Sequence, residues 1–295
     1  MLELKNIRKT FNAGTINEKT ALDGLSLKIE DGEFVTVIGG NGAGKSTMLN
    51  AIAGLWRPDS GQVLIDGIDV TKMPEHKRAK YMGRVFQDPM LGTAADMQIE
   101  ENMSIALRRG KHRTLKWFIT KKERELYKQK LATLGLGLED RLKTKVGLLS
   151  GGQRQAVTLL MASLKTPKLL LLDEHTAALD PKTADNVLSL TDRIVRENNL
   201  TTLMITHNMN NAIEYGNRLI MLADGKVILD IKGEEKQKLT VEKLMAKFYE
   251  ASGEQLADDG VLLSGSREAE PQPHVKPAAV SQAVKTPELE ERKSA

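Results

Sequence analysis

The chain has 295 residues, 40% hydrophobic and 28% charged, with a net charge of +4 and no cysteine. The apolar fraction suffices for a packed core of one large or two modest domains, while the missing cysteines exclude a disulfide scaffold, a thiolate metal site and a cysteine nucleophile. Residues 1–11 hold no apolar stretch of signal-peptide length, and the longest aliphatic run, residues 169–172, is far too short for a membrane span, so a soluble protein of a reducing, cytoplasm-like compartment is expected.

Leu25, Leu27 and Ile29 alternate with polar neighbours up to the turn Asp31-Gly32, and an apolar strand follows at 34–38. A glycine-rich stretch, 39–44, leads into a helical pattern over 45–55, and residues 62–66 read as a strand closed by Asp66-Gly67. From about 88 to 165 the period turns helical, with Ile99, Met103, Ile105 and Ala106 on one face and Leu126, Leu131 and Leu134 on another. A buried strand is predicted at 169–172, a helix at 182–196 opened by Asp180-Pro181, and strands at 201–206, 218–222 and 226–231 with a short helix after the first. Strands alternating with helices imply an α/β fold: a mostly parallel sheet carrying an inserted helical subdomain, about 88–165. The globular part is placed at 1–252. Residues 253–295 are predicted to be a disordered tail, since 264–295 is polar, holds four of the nine prolines and shows no period.

Charge is unevenly spread. Residues 108–122 contain seven basic side chains and no acid, more than the whole net charge, so the basic character is local and weak evidence for nucleic-acid binding. Trp117-Phe118 inside that run suits a membrane interface and equally a solvated helical face; Trp56 is expected to be core.

Gly39-Gly40-Asn41-Gly42-Ala43-Gly44-Lys45-Ser46-Thr47 fits G-x-x-x-x-G-K-[ST] between a strand and a helix. Glycines let backbone N–H groups converge on a phosphate, and the helix N-terminus adds partial positive charge. Lys45 is expected at the β- and γ-phosphates, Ser46 on Mg²⁺ and Thr47 as a further phosphate donor. The aliphatic strand at 169–172 delivers Asp173-Glu174 at its carboxyl end, where ligands of α/β sheets bind. Asp173 is placed to hold Mg²⁺ through water, and Glu174 to take a proton from an attacking water. The bland alternative is that this pair only caps the next element.

Leu149-Ser150-Gly151-Gly152-Gln153 opens a further helix and forms a second anion site, which a single mononucleotide fold has little need of. With these motifs in order, residues 2–250 resemble the ATP-binding subunit of an ABC transporter. Residues 39–47 match its Walker A loop, Val85-Phe86-Gln87-Asp88 the Q-loop, 149–153 the LSGGQ signature and 169–174 Walker B. Ala178-Leu179-Asp180 matches the D-loop and Thr206-His207 the switch histidine. Phe11 stands where the family keeps an aromatic on adenine.

The resemblance implies a P-loop NTPase sheet core with an N-terminal antiparallel β subdomain and an inserted α-helical subdomain. It also implies two domains closing head to tail, so that Ser150, Gly151, Gly152 and Gln153 serve the partner's ATP, and Asp180 of the D-loop is counted with the nucleotide-binding residues. His207 would meet the γ-phosphate and position water; Gln87 would sense Mg²⁺ and γ-phosphate. The expected partners are a second copy or paralogue, membrane permease subunits and an extracytoplasmic solute-binding protein, with no nucleic acid. ATP and Mg²⁺ are the cofactors, the place is the cytoplasmic membrane face, and the basic run would form a membrane-proximal patch.

Where the family most often has proline after Glu174, this chain has His175; it reads either as a tolerated loop substitution or as a titratable group that shapes the pH profile of hydrolysis. Among rival functions, ribosome-acting members usually carry two cassettes where this chain has one. DNA-repair members insert a long coiled coil, whereas about 105 residues without sustained heptads separate Lys45 from Ser150. A regulator that never turns over would not need both Glu174 and His207. The stretches 15–19 and 174–180 are similar to importer ATPases of branched-chain-amino-acid-type permeases, implying uptake of an amino-acid-like solute.

Overall fold

A computed structural model describes residues 1–111 and 119–252. Trp117-Phe118 and the expected tail at 253–295 lie outside those residues.

The first sheet is antiparallel and has the order β2-β1-β4-β5, from β1 (Leu2–Phe11), β2 (Lys19–Ile29), β4 (Ser60–Ile65) and the short β5 (Ile68–Asp69). The second has the order β10-β9-β3-β8-β7-β6. In it β3 (Phe34–Ile38), β6 (Met82–Val85), β7 (Leu169–Asp173), β8 (Thr202–Ile205) and β9 (Arg218–Ala223) run parallel, and β10 (Lys226–Lys232) closes one edge antiparallel. This is the P-loop NTPase type of α/β core with an antiparallel β layer.

Strand β3 is buried along its whole length, as a central parallel strand covered on both faces requires. Two-residue periodicity sorts β7 between two cores. Leu169 and Leu171 join Val35, Val37, Met48 and Ile52 on the side of helix α1 (Lys45–Ala53). Leu170 and Leu172 join the opposite cluster. That second cluster runs on through Ile99 and Met103 of α3 (Ile99–Leu107), Tyr127 and Leu131 of α4 (Lys121–Ala132), Val157 and Leu160 of α5 (Gly151–Ser163), and Leu188 and Ile194 of α6 (Pro181–Glu197). The helical insertion therefore shares its apolar core with the sheet.

Local chemistry starts these helices. Thr120 with Glu123 and Ser150 with Gln153 are reciprocal capping boxes, and Asp180 caps α6 with Pro181 at its first position. Helix α1 ends against α2 (Glu75–Arg78), where the fully buried Arg78 donates to the carbonyls of Ala51, Ile52, Thr71 and Met73. Arg218 ties the two sheets through Asp230, Glu33 and the carbonyl of Lys28. Helices α7 (Met209–Glu214), α8 (Glu234–Gln237) and α9 (Val241–Ser252) complete the described chain, with Leu244 and Phe248 packed on Leu219 and Met221. Among the described residues no helix is long and apolar enough to cross a membrane.

Two expectations change. Trp56 is not core: it is 44% exposed and meets Phe11 edge-on, ring centroids 5.4 Å apart. Within the basic run, Arg108 pairs with Glu123, and Arg109 donates to the carbonyls of Ala162 and Lys165 at the end of α5. Both are thus spent inside the fold, which weakens the membrane-proximal patch.

Candidate functional site

The loop between β3 and α1 is held open by its own backbone. Gly44 adopts φ 99°, and a Cβ there would lie 2.5 Å from the Ala21 carbonyl oxygen, so only glycine fits. It supplies no side-chain cap to α1, which leaves the first N–H groups of that helix turned toward the cavity. Lys45 is 5% exposed, its Nζ donating to the carbonyls of Gly39 (2.6 Å) and Gly40 (2.9 Å). A buried ammonium beside open backbone donors can hold a polyphosphate.

A cavity of about 280 Å³ stands on this loop, lined by residues 41–47 with Phe11, Lys19 and Ala21, and by Glu174 and His207 across from them. Sheet order brings the last two together, because β7 pairs with β8 and places Asp173 against Ile205. Glu174 N donates to the Ile205 carbonyl, the residue sits at φ 47°, and its Oε1 lies 2.5 Å from His207 Nε2. A carboxylate held by an imidazole at the mouth of a phosphate cradle can accept a proton from water. A larger cavity of about 740 Å³ opens at the amino ends of the strands, around Phe34, Asn217 and Lys236. Its Gly233 opens only the four-residue α8, without a run of glycines, and the carboxyl ends of the strands are where such sheets bind ligands.

Asp173 closes β7 just behind the cavity, its Oδ2 accepting from Arg84 Nη2 at 2.9 Å. Gln87 is exposed and does not line the cavity, and neither do Ser150, Gly151, Gly152, Gln153 and Asp180. Instead, residues 150–153 open α5 beside the start of α6, which Asp180 caps. Ser150 Oγ accepts from Gln153 N, Asp180 Oδ1 accepts from Thr183 N, and a Cβ on Gly152 would lie 2.2 Å from Thr183 Cγ2. The start of α5 thus needs glycine simply to approach α6. The Thr183 hydrogen bonds hold the Asp180 carboxyl below the usual carboxylate range.

His175 is 2% exposed, and its Nε2 is 3.0 Å from Thr191 Oγ1. Since the Thr191 hydroxyl donates to the Val187 carbonyl, its oxygen accepts from a neutral, Nε2-protonated His175. Burial pulls the imidazole down to about 4. The reading of His175 as a titratable neighbour shaping the pH profile is therefore overturned: it stays neutral throughout the neutral range.

Sequence reasoning missed Lys19 and Arg84. Lys19 Nζ lies 2.8 Å from where a Gly42 Cβ would stand, over the phosphate loop. Neither residue belongs to a local motif, so only strand placement reveals them.

The family described as ABC transporter matches residues 22–177. The chain is 52% identical over 248 residues to a "Tyrosine transport ATP-binding protein" of Clostridioides difficile (strain R20291), covering 84% of this chain and 98% of that one. It is 36% identical over 232 residues to "Methionine import ATP-binding protein MetN 2" of Rhodococcus jostii (strain RHA1), covering 77% of this chain and 65% of that protein. Among solved structures it is similar to a dimeric post-hydrolysis state of an ATP-binding cassette bound to ADP and Pi. That likeness has a TM-score of 0.67 and 32% identity, over 79% of this chain and 98% of that one.

Proposed function

Because the chain belongs to the ABC transporter family, as an importer-like ATP-binding subunit with ATPase activity, we propose that it powers uptake of an amino acid, tyrosine or a close analogue, through separate permease subunits. The tyrosine transport of the 52%-identical relative supports that cargo, and the methionine import of another supports an amino acid generally. The observation that carries the reading is the Glu174–His207 contact facing the phosphate loop across one cavity.

In this reading Phe11, backed by Trp56, receives adenine, and residues 39–47 hold the phosphates with Lys45 as their cation. The donor set suits Mg²⁺: among the described residues no three acidic or histidine side chains cluster, and this ion characteristically takes one or two carboxylates plus phosphate. Ser46, Gln87 and Asp173 would hold it, and bound there it would neutralise phosphate charge. Glu174 accepts the proton of the attacking water, while His207 orients the Glu174 carboxylate and reaches the γ-phosphate.

Ser150, Gly151, Gly152 and Gln153, remote from their own cavity, serve the cavity of a second copy or paralogue, with Asp180 beside that junction. The subunit would sit on the cytoplasmic face of the membrane, with a solute-binding protein delivering cargo outside. Glu174→Gln is the test. It should bind ATP normally, form a long-lived dimer by light scattering and lose hydrolysis by orders of magnitude; normal turnover would remove Glu174 as the base. Tyrosine-stimulated ATPase activity in vesicles holding the copurified permease checks the cargo.

A further inference from the structure

Arg84 lies on β6, three residues before Gln87, with its side chain only 10% exposed. Its Nη2 donates to Asp173 Oδ2 at 2.9 Å and to Asn50 Oδ1 of α1 at 2.8 Å. The guanidinium carbon is 4.6 Å from the centroid of the Phe86 ring. Nε and Nη1 are buried without a hydrogen-bond partner among the described residues. Leaving such donors unmet is costly, and a buried charge is retained only where it is matched. The match here is the Asp173 carboxylate, the acid assigned to the cation.

We propose that Arg84 is a positioning residue that neutralises Asp173 in the nucleotide-free protein and makes divalent-cation binding conditional on the triphosphate. The inference rests on the assignment of Asp173 made above. An Arg–carboxylate pair carries no net charge, so it attracts a strongly hydrated divalent ion poorly, and the negative charge that is missing must come from phosphate. Lys45, buried in the same cradle, adds a second positive charge and sharpens the dependence. Arg84 also joins α1, β6 and β7, so a purely mechanical strut is the competing account. A strut would change stability but leave cation affinity alone.

The experiment uses the full chain and two probes: Mn²⁺ titrated by electron paramagnetic resonance without nucleotide, and a fluorescent ATP analogue bound with EDTA or with Mg²⁺. Arg84→Gln should raise nucleotide-free Mn²⁺ affinity about fivefold or more, a modest effect for a unit charge removed so close to a carboxylate. Arg84→Lys, which keeps the charge, should stay within about twofold of wild type. Arg84→Met, which keeps volume against Phe86, is the second variant should Arg84→Gln not fold. Adding Asp173→Asn to either neutral variant should abolish the gain. Unchanged Mn²⁺ affinity in the neutral variants, with Asp173→Asn still weakening the Mg²⁺-dependent tightening of ATP, overturns the role of Arg84. An Asp173→Asn chain that keeps the full Mg²⁺ effect overturns the assignment of Asp173 itself.

Discussion

Mild acid, down to about pH 5, should destabilise this chain through His175, and the effect can be worked from its surroundings. The ring is 2% exposed, donates to Thr191 Oγ1, and is held at about 4 by burial, against an ordinary value of 6.5. The unfolded chain takes up its proton as pH falls through 6.5, whereas the folded chain does so only near 4. The stability difference is therefore fully present above about pH 7, is lost between 6.5 and 4, and stays flat below that. The whole shift corresponds to roughly 3 kcal/mol, of which about 2 kcal/mol has gone by pH 5. Urea unfolding of wild type and His175→Gln at pH 7.5 and 5.0 isolates it, since glutamine can still donate to Thr191 but does not titrate. Wild type should lose about 2 kcal/mol more than the variant on going to pH 5. Equal losses would refute the claim that a buried neutral imidazole sits there. For the same reason, His175→Gln should leave the pH profile of ATP hydrolysis between 6.5 and 8.5 unmoved.

Lys45→Ala should weaken ATP binding more than about tenfold by equilibrium fluorescence titration, because it removes the buried cation of the cradle. Lys19→Gln should cost about threefold in affinity for ATP and ADP alike with kcat unchanged, and the loss should shrink in high salt, as expected of an exposed charge over the phosphate loop. Gly152→Ala should lower stability by about 1–3 kcal/mol through the clash with Thr183 Cγ2, and adding Thr183→Ser should recover much of it in a thermal-melt double-mutant cycle. Arg78→Met should destabilise by about 3 kcal/mol in urea unfolding, since four carbonyls lose their donor.

The phosphate loop, the helix starts and the central strands were legible in the sequence because their causes are local. Glycine conformations, a lysine at the start of a helix, caps at Ser150 and Asp180, and a run of leucines each operate within a few neighbouring residues. Strand β1 was not legible: Leu2, Leu4 and Ile7 break the two-residue period where Asn6 turns to φ 48° and the register with β2 shifts. Strand β6, four residues containing both a glycine and an arginine, shows no pattern of its own and becomes a strand by pairing with β7. Which side chains meet was settled only by the order of strands. Pairing of β7 with β8 brings Glu174 to His207, and pairing of β6 with β7 brings Arg84 to Asp173, 89 residues away. The same holds for Trp56 against Phe11 and for the burial that keeps His175 neutral. Backbone geometry and caps are short-range and written residue by residue. Contacts across a sheet, and the desolvation that sets a proton's affinity, exist only once distant segments have packed.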